Sequence, residues 1–298
     1  MKHEIDLANY NLYTDLIVDD PKHKVKYQKE EIDNINVTYV CVDEENQKLL
    51  KKKIGNYITI EFNDITDITN QNNVEKVLIK YLEKIMKKID KQKGLIIGLG
   101  NSDSTPDSLG PRVIKDIIVT NHITKFAKLD KGFNNVSAFT PGVIGETGIE
   151  ASDLILNLIK IINPTYIIVI DSLTSLSVKR VNKTIQICDT GITPGSGVGN
   201  NRTEISYDTL GIPVIAIGVP TVVDAITIVA DTINYMYENN KYLFNKNFNE
   251  KEMRELLNSI FKKNLMVTPK EIDFTIKKLS NILSNGINKV IHPKLKIK

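Results

Sequence analysis

One apolar run, residues 166–170 (YIIVI), constrains the fold of this chain more than any other feature. Its β-branched residues favour a strand. A run without polar alternation is typical of a strand that is buried on both faces. The run follows Asn163 and Pro164, which stop a helical pattern over residues 148–162. We therefore predict a buried strand that enters directly from a helix and ends at Asp171.

Other segments repeat this alternation of strand and helix. Apolar runs with β-branched residues predict strands, and periodic stretches predict helices. The predicted strands are residues 36–43, 57–62, 94–100, 136–139, 184–188 and 214–218; further helices are predicted at 74–89, from near Pro111, and at 222–237. This order predicts an α/β fold with a mostly parallel twisted sheet and helices on both faces.

The C-terminal part predicts one more helix. Residues 268–271 (TPKE) form a capping-box pattern with proline at the first helical position. Ile272, Ile276, Leu279 and Leu283 make the buried stripe, and Gly286 is the predicted terminator. Because no linker or internal repeat divides the chain, we predict a single domain with a helical C-terminal extension.

The amino-acid composition argues against some classes of binding partner. The chain has 298 residues with 39 basic and 36 acidic side chains, a net charge of +3. That balance argues against nucleic acid as the principal partner. The two cysteines are far apart in the sequence, which fits a reducing interior. No apolar run is long enough for a membrane span, and the N-terminus has acids where a signal peptide is apolar. We therefore expect a cytoplasmic protein without a membrane partner.

Several familiar catalytic signatures are not matched. The glycines at 98 and 100 begin a dinucleotide fingerprint, but Asp103 stands where its third glycine belongs. The sequence has no phosphate loop, no His-Glu-x-x-His and no Gly-x-Ser-x-Gly. Its four histidines are His3, His23, His122 and His292, which are scattered. We therefore expect neither a metal nor a cofactor.

Two carboxylates are the remaining candidates for catalysis. In open α/β sheets, ligands bind beyond the carboxyl ends of the strands. Asp171 follows one predicted strand, and Asp107 lies in the loop after another. If these strands are neighbours, both carboxyls face one crevice, where they share a proton and supply a base for water and an acid for a carbonyl. The alternative is that Asp107 caps the next helix and Asp171 closes a turn.

Two further segments have two interpretations each. The glycine-rich residues 193–202 include Gly197, Gly199, Asn200 and Arg202. They are either a mobile surface loop or a backbone that approaches the substrate closely, with Arg202 as an anchor. Glu146 either complements a helix dipole or takes part in substrate binding.

Six motifs together resemble one family. They are residues 98–101 (GLGN), 105–111 (TPDSLGP), 141–148 (PGVIGETG), 169–173 (VIDSL), 194–200 (PGSGVGN) and 285–288 (NGIN). In this order they resemble the germination proteases, which are spore endopeptidases, and the resemblance runs from about Ile5 to His292. The chain departs from the pattern at residues 102–104 (SDS), and Ser108 and Ser172 stand where alanine is common.

The resemblance implies an activity and a site. Germination proteases are atypical aspartic peptidases that degrade the small acid-soluble proteins coating DNA in dormant spores. They act in the spore core during germination, assemble as homotetramers and have a fold similar to that of hydrogenase-maturation proteases. The two proposed catalytic aspartates of the family fall on Asp107 and Asp171. The resemblance implies no cofactor and no direct contact with nucleic acid.

The resemblance also implies a zymogen that removes its own N-terminal peptide. Residues 13–19 (YTDLIVD) are similar to the processing site, with cleavage expected between Asp15 and Leu16. Residues 1–15 are then a propeptide and residues 16–298 the protease domain. An edge strand is the alternative for residues 13–19. Two rival functions remain: a metal-dependent maturation-type endopeptidase, and a non-catalytic peptide-binding module.

Overall fold

The computed structural model describes residues 27–50, 52–195, 203–239, 259–260 and 265–295. Within them, one sheet contains nine strands. The strands are β1 (Tyr27–Ile32), β2 (Ile35–Val42), β3 (Gly55–Glu61), β4 (Lys93–Gly98), β5 (Asn135–Phe139), β6 (Tyr166–Ser175), β7 (Thr184–Cys188), β8 (Val214–Asp224) and β9 (Met266–Val267). The α-helices are α1 (Glu44–Leu50), α2 (Ile68–Ile85), α3 (Leu109–Lys115), α4 (Ile144–Thr147), α5 (Ala151–Ile162), α6 (Tyr207–Leu210), α7 (Ala225–Asn239) and α8 (Ile272–Ile291).

The sheet has a parallel half and an antiparallel half. Its order is β1-β2-β3-β7-β8-β6-β4-β5, with β9 paired to β8. The neighbours β5, β4, β6 and β8 are parallel, whereas β7, β3, β2 and β1 extend the sheet antiparallel from β8. The hairpin of β1 and β2 turns at Asp33 and Asn34, whose positive φ angles suit a two-residue turn. The antiparallel share is therefore larger than the sequence pattern indicates.

Helices cover both faces of the sheet, which confirms the predicted α/β class. On one face, the isoleucines at 96, 168, 170, 215 and 217 pack in a cluster with α2, α3 and α8. On the other face, Leu95, Ile97, Ile167 and Val169 pack with Ala151 and Ile155 of α5. The run at 166–170 contributes to both clusters, and each of its residues is fully buried. Its lack of polar alternation follows from this two-sided burial.

Strand β6 does not end at Asp171 as the sequence predicts, because it continues to Ser175. It keeps pairing with β8, which also runs on to Asp224. The register shifts by one residue between Leu173 and Thr174, where Thr221 of β8 has no partner opposite it. Two strands that lengthen together and contain a bulge explain why the polar residues after Ile170 still belong to the sheet.

The C-terminal helix also differs from its prediction at both ends. The hydroxyl of Thr268 donates to the carbonyl of Thr221 instead of capping α8, which has Glu271 at its N-cap. Gly286 does not terminate α8, which continues to Ile291. A Cβ at Gly286 would lie 2.7 Å from Cδ2 of Leu78 in α2, so this glycine permits close helix packing. In the part of the chain that is described, no helix is both long and apolar enough to span a membrane.

Candidate active site

Asp171 lies at the position where strand β4 leaves the sheet. The pairing of β4 with β6 ends at Gly98 and Ile170, and the N–H of Leu99 then donates to the carbonyl of Ile170 at 2.8 Å. Asp171 is the next residue of β6 and is only 7% exposed. Its partner on β8 is Gly218, which has no side chain. Asp171 therefore lies within β6, level with the carboxyl end of the neighbouring parallel strand β4, and the carboxyl ends of strands are where α/β sheets bind ligands.

Asp107 reaches the same edge of the sheet through a short loop after β4. Gly100 turns the chain with φ +110°, and an added Cβ there would collide with the carbonyl oxygen of Asp107. The chain then forms a 3-10 turn over Thr105–Asp107, which leads into α3. The N–H of Asn101 donates to Oδ2 of Asp107 at 2.8 Å, which fixes the direction of the carboxyl group.

Both aspartates line one cavity of about 370 Å³. Several other stretches of the chain complete its wall. The lining residues from these segments include Gly142 and Val143, Leu173 and Thr174, Ile192 to Gly195, and Thr221, Val222, Met266 and Thr268. The loop after β4, the end of β6, the segment from Gly191 and the chain after Gly218 therefore converge, as the rule for α/β sheets predicts. Met266 and Thr268 are not expected in this wall from the sequence, because residues 268–271 fit the pattern of a helix cap.

The cavity wall is acidic and apolar. Its described lining contains the two carboxyl groups of Asp107 and Asp171 and no lysine, arginine or histidine side chain. Oδ1 of Asp171 accepts the N–H of Ser172 at 2.8 Å, so each aspartate has at least one oxygen held by a backbone amide. Aliphatic side chains supply most of the remaining surface. The cavity therefore combines two oriented carboxyl groups with a surface suited to an apolar side chain.

Several predicted site residues lie outside the described residues. These are Asp15, Leu16, Gly197, Gly199, Asn200 and Arg202. The described start of the same glycine-rich segment, Thr193 to Gly195, does line the cavity. Glu146 is exposed in the first turn of α4 and is not part of the lining. Its Oε2 lies 3.6 Å from a Cβ placed on Gly142, which is a lining residue, so Glu146 is close to the cavity.

The other candidate chemistries have little local support. Within the described ranges, no group of three or more His, Cys, Asp or Glu side chains is arranged to hold a metal ion. His292 is fully buried away from the cavity, where its ring contacts the backbone at Asn134 and Ile118. His122 is exposed. Neither histidine is among the residues that line the cavity with the aspartates.

The similarity of this sequence to known proteins identifies its family. A family-wide profile described as germination protease matches residues 16–254 and 240–298. The germination protease of Geobacillus sp. (strain WCH70) is 37% identical over 362 aligned positions, which cover 99% of this chain and 97% of the relative. This chain belongs to the germination protease family. The family members of Oceanobacillus iheyensis and Bacillus cereus (strain B4264) are each 38% identical, over 92% and 98% of this chain and 88% and 96% of the relatives.

Among solved structures, this germination protease family member is similar to a [NiFe] hydrogenase maturation protease, HycI from Thermococcus kodakarensis KOD1. The TM-score is 0.36 at 14% identity, with 70% of this chain and 98% of that chain covered. Family membership makes the chain a hydrolase, a spore-germination endopeptidase that acts on protein substrates. The cavity with its two aspartates is the candidate active site for that activity.

Proposed function

We propose that this chain hydrolyses peptide bonds with a water molecule activated by Asp107 and Asp171. The single observation that carries the proposal is that Asp107 and Asp171 line one cavity where β4 ends beside the continuing strand β6. No other pair of acidic side chains shares that described cavity wall. The proposed chemistry is that of an atypical aspartic peptidase.

The proposed reaction needs one proton between the two carboxyl groups. Two carboxyls that share a site do not both ionise readily, and in the proposed reaction one is ionised while the other is protonated. The ionised group takes a proton from water, whose oxygen attacks the scissile carbonyl carbon. The protonated group donates to the carbonyl oxygen. When the tetrahedral intermediate collapses, the C–N bond breaks and the amine leaves with a proton from the pair.

The oriented oxygens support a catalytic role for the pair. The amide of Asn101 holds Oδ2 of Asp107, and the amide of Ser172 holds Oδ1 of Asp171. Catalytic groups need such fixed geometry, because a reacting atom must lie within hydrogen-bond reach of both. The two backbone amides therefore act as positioning groups for the carboxyls.

The proposed substrates are the small acid-soluble proteins of the spore core. The aliphatic lining of the cavity, which includes Leu99, Val143 and Ile192, favours an apolar residue beside the scissile bond. The Asp15–Leu16 bond supplies such a residue in leucine. The same cavity would therefore cleave both its protein substrates and its own N-terminal segment.

We also propose that the chain is a zymogen. Residues 1–15 are the proposed propeptide, residues 16–298 the protease domain, and the assembly a homotetramer. The support for these proposals is the motif at residues 13–19 together with family membership. If the chain cleaves its own Asp15–Leu16 bond, the loss of its N-terminal peptide can be measured to test the catalytic proposal.

The experiment follows the N-terminus of the full chain by mass spectrometry. Asp107→Asn and Asp171→Asn replace each carboxyl with a neutral amide of similar shape, so each variant should keep Met1 to Asp15. Asp103→Asn is the matched control, because Asp103 is an exposed acid in the same loop as Asp107. It should release the peptide as the unvaried chain does. Normal release from Asp107→Asn or Asp171→Asn would overturn the proposed mechanism.

A further inference from the structure

Thr221 occupies an unusual position beside the two aspartates. Leu173 of β6 faces Pro220 and Thr174 faces Val222, so Thr221 is the extra residue of a bulge. Bulges are uncommon in parallel pairs, and where they occur beside active sites they redirect a side chain. Thr221 is one of the residues that line the cavity with Asp107 and Asp171.

The backbone around Thr221 is held in place from two directions. The hydroxyl of Thr268 donates to the carbonyl of Thr221 at 2.8 Å. The N–H of Asn182 donates to the carbonyl of the preceding residue, Pro220, at 2.7 Å. The bulge is therefore a fixed feature of the strand.

The hydroxyl group of Thr221 has no hydrogen-bond partner among the described residues. Thr221 is only 1% exposed, and its Oγ1 is buried without a donor or acceptor. Ser172, which follows Asp171 on β6 and lines the same cavity, has a buried Oγ in the same condition. An unsatisfied buried hydroxyl destabilises a fold. Two of them at one cavity indicate a polar group that binds there from outside the fold.

We infer that Thr221 is a substrate-binding residue whose hydroxyl donates a hydrogen bond to a main-chain carbonyl oxygen of the bound peptide. This inference rests on the proposed function of the same cavity and adds a residue to it. Ser172 is the second donor of this subsite. The class of ligand is an extended peptide, because the aliphatic lining provides room for its side chains and the hydroxyls serve its backbone.

The charge of the cavity explains why a hydroxyl takes this role. The two carboxyl groups are mainly acceptors, and the described lining has no lysine, arginine or histidine to donate to a carbonyl oxygen. A peptide carbonyl that enters the cavity needs donors, since a buried acceptor without one is unfavourable. Hydroxyls can supply them without adding charge beside the aspartates.

The test compares Thr221→Val with Thr221→Ser. Valine keeps the shape of threonine and removes the hydroxyl, whereas serine keeps the hydroxyl and removes the methyl group. Both variants are made in an Asp107→Asn chain that begins at Leu16, so that binding is measured without turnover and without competition from the chain's own residues 1–15. The probe is a fluorescent peptide of residues 10–22 with blocked ends, and the readout is fluorescence anisotropy. We expect Thr221→Val to weaken binding about tenfold, and Thr221→Ser to stay within about threefold of the background chain.

Thermal unfolding of the same proteins supplies the second readout. Removal of an unpartnered hydroxyl leaves no broken bond in the fold, so the Tm of Thr221→Val should equal or exceed that of the background. Unchanged peptide binding in Thr221→Val would overturn the inference. So would a loss of several degrees in Tm for Thr221→Val alone, because the hydroxyl would then serve the fold. A failure of the catalytic proposal can be told apart from a failure of this inference. It would appear as normal release of the N-terminal peptide by the full chain with Asp107→Asn alone.

Discussion

At the residue scale, His292 links the end of α8 to the rest of the domain. Its Nδ1 accepts the N–H of Asn134 at 3.2 Å, so the ring proton is on Nε2, which donates to the carbonyl of Ile118 at 3.0 Å. The ring is fully buried and packs 5.4 Å from the ring of Phe133. Burial lowers the pKa of His292, and the bond to Ile118 opposes that shift in part. The folded protein therefore holds a neutral histidine.

This arrangement predicts how stability depends on pH. Because the pKa of His292 is lower in the folded chain than its usual 6.5, the unfolded chain binds the proton more readily. The contribution of His292 is fully present above about pH 6.5 and is lost as pH falls towards the folded pKa, by at most about 1.4 kcal/mol per pH unit. His292→Gln should reduce the free energy of unfolding at pH 7.5 and flatten its fall between pH 7 and 5.

Urea denaturation at a series of pH values measures this effect. His122→Gln is the matched control, because His122 is exposed at the N-cap of a 3-10 turn. It should leave both the stability and its pH dependence unchanged. If the free energy of unfolding falls equally steeply with pH in His292→Gln and in the wild-type chain, groups other than His292 cause the pH dependence.

Some residues of the site are predictable from the sequence, and others are not, for a physical reason. Asp107 and Asp171 follow apolar strands, and the carboxyl-end rule needs only the positions of those strands. Thr221 could not be found in this way, because its place depends on a register shift between β6 and β8. A bulge is set by the pairing of two strands that are distant in sequence, and neither strand alone encodes it.

At the element scale, the contact of α2 with α8 depends on one glycine. A Cβ at Gly286 would lie 2.7 Å from Cδ2 and 3.3 Å from Cγ of Leu78, which is fully buried. Both helices pack their buried faces into the same cluster against the sheet. The glycine was predicted to stop α8, since glycine commonly ends helices. Here the need for close approach is the stronger constraint, and the helix continues through it.

Gly286→Ala should therefore destabilise the protein even though alanine is the better helix former. Overpacking costs about 1–3 kcal/mol, against a propensity gain of about 1 kcal/mol. The free energy of unfolding in urea should fall by about 1 kcal/mol or more. Gly145→Ala is the matched control, because nothing lies within 4 Å of its added Cβ. The cost of Gly286→Ala should disappear in a Leu78→Ala background; an equal cost in both backgrounds would contradict this explanation.

At the scale of the whole molecule, the two halves of the sheet differ in how far sequence predicts them. The parallel half contains the candidate site, and its buried runs at β4, β6 and β8 are evident in the sequence. The antiparallel arm begins with β1, whose residues are mostly exposed and give no apolar pattern. Its placement depends on the turn at Asp33 and Asn34 and on pairing with β2. The class of fold was therefore predictable, and the extent of the antiparallel half was not.

The proposed mechanism of peptide hydrolysis requires Asp107 and Asp171 to act as one unit. Residues that share one catalytic step show strongly non-additive effects, because removal of either partner removes the whole contribution. Two aspartates with separate structural roles would instead give independent losses. The relation between the two single variants and the double variant therefore distinguishes these alternatives.

The most direct measurement is kcat/KM for cleavage of the peptide of residues 10–22, with a chain that begins at Leu16 as the enzyme. This chain should cleave the peptide at Asp15–Leu16 without a lag, because no propeptide remains to be removed. Asp107→Asn and Asp171→Asn should each lower kcat/KM by at least about 100-fold. The kcat/KM of the double variant should be no lower than that of the less active single variant. Asp103→Asn should leave kcat/KM unchanged. A single variant within tenfold of the starting chain, or a double variant whose loss equals the product of the single losses, would contradict the proposed pair.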